Sequence, residues 1–357
     1  MTAQGAIPVV ILTGFLGSGK TTILGHLLRQ PEFSRTAVII NEFGEIGLDH
    51  HLVEASEDSL IELTTGCLCC KVRTDLAETL QNLLRRRDEG SCSPFDRIVI
   101  ETSGLADPAP ILQTLMTDAV LAARLVLGGV ATTVDAVTGD STLAREDVSQ
   151  KQVAVAERIV LTKLDLASAS EPALRARLRL LNSGAPIVTA DHGRIAEHDL
   201  FATGLYDATT KSIDVQGWLS DGAWLSQGSL SNGAQGHSHS HDTDIESCAI
   251  VLGRPIRAVV LTLFLEALAE HCGADLLRLK GIVDIAESPD RPVVIHGVQH
   301  IFHAPTWLER WPSDDRRSRL VIIGRRIRAS WVEVLLAAIE SEVESVARTV
   351  ENEADFK

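Results

Sequence analysis

The sequence is short of positive charge, of long apolar runs and of cysteines spaced for pairing. Lysine and arginine number 33 against 48 aspartates and glutamates, a net charge of −15. No basic stripe interrupts that balance, so nucleic acid is not an expected partner. The apolar run at residues 7–12 is far too short to span a bilayer, and no later run is long enough. No positively charged segment precedes an apolar run at the start, so a signal peptide is not expected either. Six cysteines in 357 residues make no disulfide framework, and three of them crowd into Cys67-Leu68-Cys69-Cys70. In a reducing compartment such a cluster serves metal binding or redox chemistry. These absences leave an acidic, cytoplasmic chain without a membrane partner. At 357 residues, 45% of them hydrophobic, it is long and apolar enough for two domains.

What is present begins with Gly14-Phe15-Leu16-Gly17-Ser18-Gly19-Lys20-Thr21-Thr22. An apolar run precedes it and an amphipathic stretch follows, so a buried strand enters a glycine-rich loop that opens a helix. That is the context in which G-x-x-x-x-G-K-[ST] becomes a phosphate-binding loop. Glycines let successive N–H groups converge on one anion, and the helix N-terminus adds partial positive charge. Gly14, Gly17, Ser18, Gly19 and Thr22 are expected to wrap the phosphates. Lys20 is expected to reach the β- and γ-phosphates, and the Thr21 hydroxyl to ligate Mg²⁺.

Further short apolar strands are expected at residues 37–40, 97–100, 129–135, 158–161 and 186–188, alternating with helices. Such alternation predicts an α/β domain, a P-loop NTPase with a doubly wound, mostly parallel sheet of five or six strands. Ligands bind at the carboxyl ends of such strands. Glu42 follows the second strand and is placed to complete the Mg²⁺ shell or hold a water. Glu101 and Gly104 follow the third, where the carboxylate is expected to act on Mg²⁺ or the attacking water. Gly104 is expected to approach the γ-phosphate and to move when that group leaves. Lys20, Glu42, Glu101 and Gly104 are thus the candidate catalytic residues. Thr162-Lys163-Leu164-Asp165 ends the next-to-last strand. Asp165 there can accept from N1–H and the exocyclic amine of guanine while Lys163 packs over the ring, and adenine has no such donor pair. The usual guanine signature has asparagine where this chain has Thr162.

Cys67, Cys69 and Cys70 sit where a helix is expected to begin, at residues 75–86. A helix N-terminus favours the thiolates that hold soft or borderline metals. Two or three thiolates within four residues clasp an ion from one side only, which suits a site that must release it. A redox pair of Cys67 and Cys70, inert core cysteines and an iron–sulfur cluster remain alternatives. Isolated Cys92, Cys248 and Cys272 are expected to be buried as small hydrophobes.

Between residues 215 and 246 Gly, Ser, Asn and Gln dominate, a composition that cannot bury enough apolar surface to order itself. His237, His239 and His241 alternate within it and can gather on one ion, or merely lie in a solvated linker. The expected organisation is a nucleotide-binding domain at 1–214, this linker at 215–246 and an α+β domain at 247–357. Strands are expected in the last part at 248–255, 292–296 and 320–323, with helices at 261–272 and 330–350. His296, His300 and His303 read as core or surface histidines, and Trp307 and Trp311 as packed.

GFLGSGKTT, NEFGEIGLD, GCLCC, ETSGLADP and TKLD, in that order, resemble the CobW family of metallochaperone GTPases. The segments LLRLKG and VIHGVQHIFH look like that family's C-terminal domain. The resemblance implies a SIMIBI-type G domain related to the urease and hydrogenase nickel-insertion GTPases, with GTP or GDP and Mg²⁺ as ligands. It implies that Thr21 and Glu42 hold Mg²⁺, that Glu101 and Gly104 sense the γ-phosphate, and that Thr162, Lys163 and Asp165 read guanine. Cys67, Cys69 and Cys70 would carry Zn²⁺ or Co²⁺ to a client metalloenzyme or cofactor-insertion machinery, with a nucleotide- or metal-dependent dimer as a conceivable assembly. A P-loop ATPase, a small-molecule kinase, or a metal-storage protein with structural nucleotide are the alternatives.

Overall fold

The computed structural model describes residues 6–42, 60–64, 69–167, 171–196, 200 and 245–354, with the side chains of 41–75 and 350–354 outside the description. The chain divides into two compact units, Met1–Asp214 and Val215–Lys357.

The first unit is built on a seven-stranded sheet. Its strands are β1 (Ile7–Gly14), β2 (Thr36–Glu42), β3 (Leu60–Thr64), β4 (Arg97–Thr102), β5 (Leu125–Asp135), β6 (Arg158–Thr162) and β7 (Ile187–Thr189). The order is β3-β2-β4-β1-β5-β6-β7, and every pairing is parallel. The seventh strand is β3, whose Leu60-Ile61-Glu62-Leu63 pairs with the outer side of β2. Its three apolar residues are too short a run to separate from a helix segment by periodicity.

The centre of the sheet is sealed on both faces, so its strands are continuous apolar runs rather than alternating ones. Val9, Ile11, Leu12, Ile98, Ile100, Ile159 and Val160 are fully buried. Helix α1 (Lys20–Leu28) lays Ile23, Leu24 and Leu27 on this core. Helix α2 (Cys69–Asp88) buries Leu76, Leu80, Leu83 and Leu84, spaced to fall on one helical face. It begins six residues earlier than its apolar period suggests (75 − 69), because nothing in Cys69-Cys70-Lys71-Val72-Arg73-Thr74 breaks a helix. Helices α3 (Ala109–Thr117), α4 (Ala119–Arg124), α5 (Gly139–Arg145), α6 (Asp147–Val155) and α7 (Glu171–Leu181) also belong to this unit.

Register fixes what lies beside the glycine-rich loop. Leu12 pairs with Glu101, Glu101 with Ile40, and Ile40 with Glu62, one row across four strands. The ends of β1, β4, β2 and β3 therefore share one sheet edge. At about 4.8 Å per strand, β3 ends roughly 14 Å from β1.

Among the described residues the second unit carries an antiparallel sheet and two helices, an α+β arrangement. Its strands are β8 (Ile245–Leu252), β9 (Leu276–Val283), β10 (Val293–Val298), β11 (Ile301–Phe302), β12 (Thr306–Trp307) and β13 (Ser318–Arg325), in the order β11-β10-β9-β13-β8 with β12 on β10. Helices α8 (Ala258–Cys272) and α9 (Ala329–Ala354) join it. Phe264, Leu268, Leu279, Ile295, Ile322, Val332 and Leu336 form the core between them.

Two expectations change here. Trp311 is buried, but Trp307 is 43% exposed, because β12 is a two-residue edge strand. Cys92, Cys248 and Cys272 are half-buried rather than buried, with Cys248 and Cys272 packed at the margin of the core. Burial, followed by Glu246 and Glu333, pushes the Cys248 thiol up to about 11, which keeps it protonated and inert at neutral pH. Among the described residues no helix is long and apolar enough to cross a membrane.

Candidate nucleotide-binding site

At the end of β1 the backbone turns at Gly14 with φ +141°. A Cβ there would lie 2.2 Å from Thr133 Oγ1 and 2.8 Å from Ser18 Oγ, so only glycine lets the loop cross β5 this closely. Gly17 and Gly19 also have positive φ, and α1 starts at Lys20 immediately after Gly19. Alternating backbone hands of this kind form an N–H-lined concavity at a helix N-terminus, which binds phosphate.

Two strands hold the loop from below. Ser18 Oγ and Thr133 Oγ1 share a buried hydrogen bond of 2.6 Å. Thr162 Oγ1 donates to the Ser18 carbonyl at 2.8 Å. The residue that departs from the usual guanine signature thus braces the phosphate loop. Lys20 is buried, and its Nζ donates to the carbonyls of Gly14 at 2.8 Å and Phe15 at 3.3 Å. The ammonium arches over the loop that it would share with an anion.

Thr21 Oγ1 donates to Glu101 Oε1 at 2.8 Å, and Glu101 is only 4% exposed. A hydroxyl and a buried carboxylate beside a phosphate loop are hard oxygen donors, which suits Mg²⁺. Glu42 is the last residue of β2, level with Thr64 of β3, and its side chain lies outside the described residues.

The loop after β4 closes on the phosphate loop. A Cβ on Gly104 would lie 2.6 Å from the backbone nitrogen of Leu16, so this contact also requires glycine. From behind, Gln152 Nε2 on α6 donates to the carbonyls of Gly104 at 3.2 Å and Ala106 at 3.1 Å.

At the other end of the edge, Lys163 adopts φ +57° and its Nζ donates to Asp135 Oδ2 at 2.7 Å. Asp135 also accepts from the N–H groups of Val137 and Thr138. Burial pushes its carboxyl up, but Lys163 and those N–H groups outweigh burial and hold it below the ordinary carboxylate value. Asp165 lies in a short 3₁₀ turn, Leu164–Leu166, and is partly exposed. His192 Nε2 lies 3.8 Å from Asp165 Oδ2, on the turn after β7.

The structure therefore brings together Gly14, Gly17, Ser18, Gly19, Lys20, Thr21, Glu101 and Gly104, with Thr22 in the first turn of α1. Lys163 and Asp165 sit at the end of β6. Thr133, Asp135 and Gln152 are functional neighbours that motif reading missed. The polar run Thr132-Thr133 inside an otherwise apolar strand was the available signal for the first. Cys69 and Cys70 open α2, their side chains outside the described residues, while Cys67, His237, His239 and His241 lie wholly outside them. Among the described residues no group of three or more His, Cys, Asp or Glu could hold an ion.

Comparison with known proteins agrees with this geometry. The CobW/HypB/UreG nucleotide-binding domain matches residues 8–189, and the C-terminal domain of the cobalamin synthesis protein cobW matches residues 245–340. The zinc chaperone YjiA of Escherichia coli is 35% identical over 93% of this chain and 98% of its own length. A zinc chaperone CobW of Sinorhizobium is 32% identical over 90% of this chain and 93% of its own. The crystal structure of Zn(II)-bound YjiA GTPase superposes with a TM-score of 0.69 at 30% identity, covering 94% of this chain and 99% of that one. The chain therefore belongs to the CobW/HypB/UreG nucleotide-binding family, as a GTPase that also carries the CobW C-terminal domain.

Proposed function

We propose that this chain is a metallochaperone whose GTP cycle governs the binding and release of a transition metal, Zn²⁺ or Co²⁺, held by Cys67, Cys69 and Cys70. The observation that carries the reading is the shared sheet edge. The segment bearing the cysteines runs from the end of β3 into α2, and β3 is joined through β2 to β4, which carries Glu101 next to its last residue. Loops that respond to a γ-phosphate and a loop that carries thiolates are thus neighbours in the sheet order. The zinc chaperone names of the relatives YjiA and CobW support zinc as the cargo.

In this reading the phosphate loop and Lys20 bind GTP, and Asp165 and Lys163 read its base. Thr21 and Glu101, with Glu42, hold Mg²⁺, which supplies charge neutralisation at the β- and γ-phosphates. Glu101 orients the attacking water, and the loop through Gly104 relaxes when the γ-phosphate leaves. The cysteine segment changes with it, and the ion passes to a client metalloenzyme or cofactor-insertion partner. His237, His239 and His241 offer a second place of contact for the ion during transfer. The 215–246 segment acts as a linker between a domain at 1–214 and another at 247–357. The setting is the cytoplasm, and dimerisation follows nucleotide or metal.

Such coupling demands that the metal bind the two nucleotide states differently. The test is zinc affinity measured with a β,γ-imido GTP analogue and with GDP, on wild type and on the Cys67→Ala/Cys69→Ala variant. The expected outcome is a difference of about tenfold or more between states, and loss of tight binding in the variant with nucleotide binding retained. Equal zinc affinities in the two states would remove the mechanism, and undiminished binding in the variant would move the site to the histidines.

A further inference from the structure

We propose that Gln152 is a positioning residue for GTP hydrolysis: it presets the loop of residues 101–107 against the phosphate loop and so sets how strongly the chain prefers GTP to GDP. The inference rests on the reading of that loop as the γ-phosphate sensor.

Gln152 is 1% exposed. Both groups facing its side-chain amine are carbonyls, those of Gly104 and Ala106, which orients the amide with its donors toward the loop. Its own Oε1 is buried with no hydrogen-bond partner among the described residues. A buried acceptor left unmatched costs stability, so a residue chosen for packing alone would be apolar. What the amide secures in return is the loop.

The platform behind it is rigid. Thr132 Oγ1, fully buried on β5, donates to the Gln152 carbonyl at 2.8 Å. Asn182 Nδ2 donates to the carbonyls of Val153 and Ala156, each at 2.8 Å, and fixes the end of α6. A second tie lies one residue away, where Lys151 Nζ stands 3.3 Å from Asp107 Oδ2. On the loop's far side Gly104 already touches Leu16. The loop is therefore held between α6 and the phosphate loop by contacts that need no nucleotide atom. A ligand with a γ-phosphate meets an ordered loop, whereas GDP does not reach it. Loss of the amide makes GTP binding bear the cost of ordering the loop.

The experiment compares Gln152→Met, which keeps the volume and removes the donors, with wild type. The readouts are affinity for a β,γ-imido GTP analogue, affinity for GDP, and thermal unfolding. The expected result is an analogue affinity lower by about tenfold, GDP affinity within about twofold, and unfolding little changed because the unmatched acceptor is gone too. Equal loss for both nucleotides, or no loss for either, overturns the proposal. Gly104→Ala separates it from the reading beneath it. If Gly104→Ala weakens the analogue selectively and Gln152→Met does not, Gln152 has no such role and the loop remains the sensor. If neither variant is selective, the loop is not the sensor and both ideas fall. Should Gln152→Met fail to fold, Lys151→Met cuts the outer tie from a partly exposed position. It must shift the analogue-to-GDP ratio in the same direction, and an unchanged ratio overturns the proposal.

Discussion

Thr21 Oγ1 donates to Glu101 Oε1 across 2.8 Å and joins the first turn of α1 to the end of β4, 80 residues further along the chain. The hydroxyl proton is committed to the carboxylate, so the oxygen lone pairs are left for a cation. In the proposed reading one side chain thereby serves as Mg²⁺ ligand and as anchor for the neighbouring carboxylate. Thr21→Ala removes both roles, whereas Thr21→Ser keeps both. The Mg²⁺ concentration for half-maximal GTP hydrolysis should rise about tenfold or more in Thr21→Ala. In Thr21→Ser it should stay near wild type. Magnesium titrations of the two variants check this, and coincident curves for alanine and serine would remove Thr21 from the metal shell.

Thr162 and Asp165 stand in one signature but do different work. Thr162 Oγ1 bonds the Ser18 carbonyl of the glycine-rich loop, while Asp165 is partly exposed on the turn after β6 and, in the proposed reading, meets the base. Thr162→Val should therefore weaken GTP and ATP alike and lower stability by about 1 kcal/mol, leaving the ratio of the two nucleotides unchanged. Asp165→Asn should leave stability within about 0.5 kcal/mol, as at other surface positions. It should lower GTP affinity and raise affinity for xanthosine triphosphate, whose base carries a carbonyl where guanine has an amine. Competition binding with the three triphosphates distinguishes the two sites. A changed GTP-to-ATP ratio in Thr162→Val would make that residue a base reader after all.

The phosphate loop, Lys20, Thr21 and Glu101 were legible in the sequence because each follows an apolar strand, and the strand edge of an open α/β sheet is where ligands bind. The same rule located Lys163 and Asp165 at the end of β6. The bracing residues were not legible. Gln152 lies in mid-helix, where its pattern is that of any polar helix position, and only the fold brings its amide to the carbonyls of Gly104 and Ala106. Asp135 ends β5 as Glu101 nearly ends β4, yet what it holds is Lys163, a partner 28 residues away. The start of α2 was missed for a different reason. Apolar period locates the buried turns of a helix, and the exposed first turns carry no such signal. Trp307 was misplaced because a two-residue edge strand has no period at all.

Asp135 gives the site a pH dependence whose direction follows from its partners. Its carboxyl is held below the ordinary value in the folded chain, so it contributes stability above an unfolded pKa of about 3.9, and that contribution is lost as pH falls through the folded value. Asp135→Asn lacks the charge at every pH, though its amide oxygen can still accept from the N–H of Val137. The variant should be less stable than wild type by about 1 kcal/mol at pH 7. The gap should begin to narrow as pH drops to about 4 and close once pH is below the folded value, where both proteins are neutral at this position. Other depressed carboxylates, such as Asp88 beside Arg124, are common to both proteins and cancel in the difference. Urea unfolding of the pair at several pH values measures this gap directly. In parallel, Lys163 loses the anchor that Asp135 gives it, so in the proposed reading of Lys163 as a guanine contact GTP affinity should fall in Asp135→Asn. A stability gap that stays constant with pH would mean that the Lys163–Asp135 pair is not ionic in the folded chain.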